Sequence, residues 1–109
     1  MEVLKDQSLE HRNKDERPTW TQDEAIAYEC ACEVLRDMMG IYNARIYAEE
    51  RKANPDTEKL KRMEDEVSRL FREEQNLQVH DHEKIAEFRR KYGEIIRAHR
   101  ANVKAAIGG

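Results

Sequence analysis

The sequence predicts an all-α protein, a three-helix antiparallel bundle preceded by a flexible N-terminal arm. Three observations predict it. Charged residues make up 39% of the 109 and aromatics 6%, with two prolines and four glycines, a composition rich in helix formers and poor in breakers. From Trp20 onward, apolar residues recur at the helical period of 3.6 rather than in the alternation of a strand. That periodicity separates an ordered chain from a disordered one of equal polarity. Finally, the periodic stretch is interrupted at Asn54-Pro55-Asp56 and again in the polar run 76–82, which divides it into three.

Residues 1–18 are mostly polar, with Val3, Leu4 and Leu9 as the sizeable apolar side chains, and read as a mobile arm. Residues 19–109 then form one domain. The first helix, over residues 21–53, is the longest and central one. Thr21-Gln22-Asp23-Glu24 fits a capping box, in which the threonine hydroxyl and the glutamate carboxylate each satisfy the other residue's amide. Its apolar residues form two stripes: Ile26, Cys30, Val34, Met38 and Ile41, then Tyr28, Leu35, Met39, Tyr42 and Ile46, bridged by Ala27 and Ala31. A helix with a single neighbour needs a stripe about 100° wide, so two stripes predict packing on both sides. Gly40 lies within it at a cost of about 1 kcal/mol relative to alanine, a place where the helix can kink.

Pro55 suits the first turn of a second helix, with Asn54 as its cap. Leu60, Met63, Val67, Leu70 and Leu77 give that helix a narrow seam with Phe71 beside it, and Glu58→Arg62 and Asp65→Arg69 support its wet side at i,i+4. Asp81 can cap a third helix starting at His82. Ile85, Phe88, Tyr92, Ile95, Ile96, His99 and Val103 line one face of it. With neither glycine nor proline between residues 76 and 82, the alternative is one continuous helix, a long hairpin arm that dimerises as a coiled coil.

No apolar run approaches the roughly 20 residues of a membrane span, and the N-terminus lacks a signal-peptide core, so no membrane association and a cytoplasmic location are expected. Cys30 and Cys32 diverge around a helix and cannot bridge each other, which agrees with a reducing compartment. Cys30 is expected in the core and Cys32 nearer the surface. His80-Asp81-His82-Glu83 is a group of metal-ligand types, but its rings point apart, and it reads as a polar turn. No glutamate is followed three residues later by histidine, as a di-iron bundle requires. No glycine-rich phosphate loop or nucleophile elbow occurs, and His99 lacks a matched acid. An enzyme, a cofactor and a small-molecule substrate are therefore not expected.

Charge is spread unevenly. Residues 20–50 carry seven acids against Arg36 and Arg45, whereas residues 80–109 carry seven lysines or arginines against four acids. On the third helix Arg89, Arg90, Arg97, Arg100 and Lys104 share one row. These are the candidate anion-binding residues. The plainer expectation is that they pair with Glu29, Glu33 and Asp37 of the first helix. Met38 and Met39, with Met63, are expected to fill the core; any part of the wide first-helix face left uncovered makes Met38 and Met39 candidates for an adaptable partner surface. The function expected is a non-catalytic interaction or regulatory protein that binds a protein partner, or a second copy, through a helix face. The alternative is a nucleic-acid-binding regulator that uses the third-helix row. Against it stand the acidic net charge of −3 and the lack of aromatics in that row.

Overall fold

The structure, a computed structural model, describes residues 19–108; the expected arm, residues 1–18, lies outside them. It is an all-α bundle of α1 (Gln22–Glu50), α2 (Thr57–Asn76) and α3 (His82–Gly108). Central α1 packs against both other helices. Cross-helix pairs give the directions. Lys59 and Arg36 reach Glu49 and Glu74 at opposite ends of α2, so α2 runs antiparallel to α1. His82 meets Glu24 and Arg100 meets Asp37, so α3 runs parallel to α1. Between α2 and α3 the contact is made by side chains: the Arg69 guanidinium donates to the Tyr92 hydroxyl at 2.9 Å, and Lys84 lies 3.5 Å from Glu73.

Short-range chemistry starts each helix. The capping box forms as expected, with the Glu24 amide donating to the Thr21 hydroxyl at 3.1 Å and the Thr21 amide to the Glu24 carboxylate at 2.8 Å. At the far end, α1 stops at Glu50 rather than continuing to residue 53. The cap of α2 is Asp56, not Asn54: its carboxylate accepts the Lys59 amide at 3.1 Å. Both residue types cap well, and Glu49 decides between them. Its carboxylate, 5% exposed, accepts the Asp56 amide at 2.9 Å and faces Lys52 at 2.8 Å and Lys59 at 3.5 Å. These partners, Lys52 foremost and then the Asp56 amide, hold its pKa down to about 2. A buried carboxylate requires such partners, and supplying them folds the loop so that Asp56 sits at the helix start.

α2 and α3 are separate helices. Asp81 occupies the cap position, where its carbonyl accepts the Ile85 amide at 2.8 Å. Its carboxylate turns back to the Gln78 amide at 2.8 Å instead, closing the turn without glycine or proline.

The core contains Ala31, Cys32, Leu35, Met38 and Ile41 from α1, Leu70 and Leu77 around α2, and Ile85, Phe88, Tyr92 and Ile96 from α3. Leu35 and Leu70 are its largest fully buried side chains, and the Phe88 and Tyr92 rings stack with centroids 5.7 Å apart. The buried face of α1 is centred on Ala31 and Leu35, where the two stripes meet. Met38 and Ile41 of the first stripe and Cys32 beyond the second are also buried. Three expectations change with that rotation. Cys32 is buried and Cys30 half-buried, the reverse of the expected order. Ile26 is 53% exposed. Val34 and Met39 are half-buried edge residues. On α2, Met63 and Leu70 form the buried seam, while Phe71 stands beside it in solvent.

Candidate docking site: the arginine-lined groove

An open groove of about 610 Å³ runs between α1 and α3. Helical spacing builds both walls. On α3, residues 86, 89, 93, 97 and 100 follow one another at intervals of three and four, which brings them onto one side; Arg90 joins them from the outer edge. On α1, Cys30, Glu33, Val34 and Asp37 make the facing wall by the same rule. The floor is small or apolar, with Gly93 and Ile96 buried and Cys30 and Val34 half-buried.

Four of the five cations of the third-helix row, Arg89, Arg90, Arg97 and Arg100, therefore share the groove, and Lys104 lies farther along. The expected internal pairing holds for one of them. Arg100 donates to Asp37 at 3.1 Å across the groove mouth; Glu33 lines the groove without an ion pair to a described residue, and Glu29 lies outside it. Arg89, Arg90 and Arg97 form no ion pair with a described residue. Arg36, the residue before Asp37, pairs instead with Glu74 of α2 at 2.8 Å.

Two further surfaces lie outside the groove. His99, Arg100, Val103, Lys104 and Ile107 make an open patch on the end of α3 that shares Arg100 with it. Tyr42, Arg45, Lys59, Arg62, Met63 and Glu66 line a depression between α1 and α2. Positions 59, 62, 66, 69 and 73 share one edge of α2, and Arg69 and Glu73 on that edge touch α3. The depression thus opens toward the side on which α3 passes.

The remaining candidates take structural places. Met38 is buried and Met39 half-buried, so the methionines offer a partner little surface. His82 Nε2 lies 2.5 Å from Glu24, and His80 Nε2 lies 3.1 Å from the Thr19 carbonyl. The His-Asp-His-Glu run therefore fastens the turn before α3 to the start of α1. Among the described residues, no three of the His, Cys, Asp and Glu side chains converge as a metal site would require. Burial raises the Cys32 thiol pKa, leaving it protonated and poorly nucleophilic. Sequence reasoning missed Glu49 and the Arg69–Tyr92 bond, because each joins residues on different segments. Glu24 was visible as a cap, but its second bond to His82 had no local signal.

Chemically, guanidiniums beside a small apolar floor can hold carboxylates through paired hydrogen bonds while the floor receives aliphatic side chains. No family model, curated protein or solved structure matches the chain.

Proposed function

We propose that this is a non-catalytic binding module that docks an acidic segment of a protein partner in the α1–α3 groove, as an adaptor or regulator of the reducing cytoplasm would. One observation carries the reading: Arg89, Arg90 and Arg97 line an apolar-floored groove without ion pairs to described residues. Cations that stabilise the bundle are ordinarily paired within it, as Arg36, Arg69 and Arg100 are. These three are positioned to meet charge from outside.

The same row supports a second reading, a phosphate backbone laid along α3. Glu33 and Asp37 on the opposite wall oppose it by like-charge repulsion. Among the described residues, the groove also has no aromatic lining on which bases could stack.

The test is fluorescence anisotropy with a labelled glutamate-rich peptide and, separately, a labelled single-stranded oligonucleotide, each at several salt concentrations. The variant is Arg89→Gln/Arg90→Gln/Arg97→Gln, which leaves the Arg100–Asp37 pair in place and should melt like the parent. The acidic peptide should bind the parent and lose affinity about tenfold or more on the variant. Oligonucleotide binding that is tighter, with a steep salt slope reduced in the variant, would favour the second reading. An acidic peptide that binds both proteins alike, or neither, ends the proposal.

A further inference from the structure

The core stripe of α3 does not end where its packing ends. Ile85, Phe88 and Tyr92 are spaced by three and four residues, and the spacing repeats eleven residues later as Ile96, His99 and Val103, then again at Ile107. An eleven-residue repeat, at about 3.67 residues per turn, holds a stripe nearly straight along a helix. The first three are buried, and so is Ile96. Beyond it His99 is half-buried, Val103 is 43% exposed and Ile107 is 80% exposed. Every residue of 101–107 is exposed.

We propose that the acidic partner segment is an amphipathic helix lying along α3 as the fourth helix of the bundle, from the arginine groove out across the His99–Val103–Ile107 patch. This rests on the docking reading above and adds the partner's conformation and its reach. Arg100 lines both the groove and the patch, so one continuous occupant meets both. The span from residue 86 to residue 107 is about 32 Å of helix, which calls for a partner helix of roughly 20 residues. Its apolar edge follows from the aliphatic stripe, and its acidic flanks follow from the charge of α3. After Glu94 no acid occurs in α3, whereas Arg97, Arg100 and Lys104 do. Arg45 and Arg62, in the depression between α1 and α2, likewise lack an ion pair with a described residue. That charge disfavours a second copy, because pairing two α3 ends would set these cations against one another. A membrane surface is disfavoured because the exposed end of the stripe carries no aromatic.

The probe is a synthetic helix of about 24 residues with leucines at the three-four-four spacing and glutamates on both flanks. Its controls are the same helix with lysine flanks and a glutamate-rich peptide interrupted by prolines. The full chain is compared with Val103→Glu/Ile107→Glu, a pair of exposed substitutions whose melting curve checks the fold. The leucine–glutamate helix should bind the parent, lose affinity about tenfold or more on the variant, and outbind its lysine twin. The proline-interrupted peptide should bind both proteins equally through the groove. If that peptide binds but the helix ignores the substitutions, the fourth-helix inference fails and the groove reading stands. If no acidic probe binds at all, both fail. A dimer in sedimentation, or pelleting with phosphatidylserine vesicles, that the double substitution abolishes would assign the stripe to a second copy or to a membrane and overturn the inference.

Discussion

The two halves of α3 carry the same apolar spacing in opposite surroundings. Ile85, Phe88 and Tyr92 are buried at 3%, 6% and 4% exposure, while Val103 and Ile107, which continue their stripe, stand at 43% and 80%. Helix-forming character does not separate the halves. What separates them is the neighbour, because the last polar link between α1 and α3 is Arg100 with Asp37. At its own distal end, α1 is fastened to α2 instead, through Glu49. Apolar patterning thus marks a face able to pack, whereas burial requires another element at the same level. Burial is confined to the first half, and the second stands exposed.

The largest test of this contrast is truncation in each half. Phe88→Ala should cost about 3–5 kcal/mol through lost burial and the cavity left behind. Val103→Ala and Ile107→Ala should each stay within about 0.5 kcal/mol, as exposed substitutions do. Urea melts measure both. In hydrogen exchange, the amides of 101–107 should exchange far faster than those around Phe88. Equal losses in the two halves would break the comparison.

A smaller effect probes the fastening of α1 to α2. The Glu49 pKa is depressed from the ordinary 4.5 to about 2, so its contribution to stability is present above pH 4.5 and fades as the pH falls toward 2. Glu24 and Glu66, lowered chiefly by the Thr21 amide and by Arg69, add to the same acid limb. Glu49→Gln should lower the melting temperature at pH 7 and flatten the decline between pH 4.5 and 2. Parallel pH profiles for variant and parent would show that Glu49 does not hold the loop.

The smallest effect concerns the groove mouth. Arg100→Gln removes an exposed pair, worth about 0–1 kcal/mol, and the loss should shrink in high salt. Arg97→Gln, without a described ion-pair partner, should cost nothing measurable. A larger loss for Arg97 would mean that the arginine row supports the bundle rather than a partner.

Much of the fold is legible because its signals are local. The Thr21–Glu24 box, the break at Pro55, the Met63–Leu70–Leu77 seam and the start of α3 at His82 each depend on residues within a few turns of one another. Much of the site is not. The arginine row follows from helical spacing, but whether Glu29, Glu33 or Asp37 answers it depends on how α3 sits on α1, and a rotation of a few tens of degrees selects Asp37 alone. Cys30 and Cys32 exchanged places for the same reason: Cys30 sits within the first stripe, but the buried face turns toward the second, and the position of the neighbours sets that turn.

By itself, then, the sequence determined that the chain is helical from residue 21 onward, where the first helix begins, and that it breaks at Asn54-Pro55-Asp56. It also determined which broad face each helix turns inward, since propensity, capping and periodicity act within a single segment. The separation of α2 from α3 came only with the tertiary structure. Only the tertiary structure decided the depth of each residue in that face, the choice of Asp56 over Asn54 as the cap of α2, and the three arginines left without described ion-pair partners. Those outcomes depend on Glu49 finding partners in the next loop and helix, on Arg36 and Arg100 finding partners far away in the chain, and on α1 and α3 parting beyond Asp37. Interactions of that kind have no local signature, because their strength comes from proximity that only the assembled fold creates.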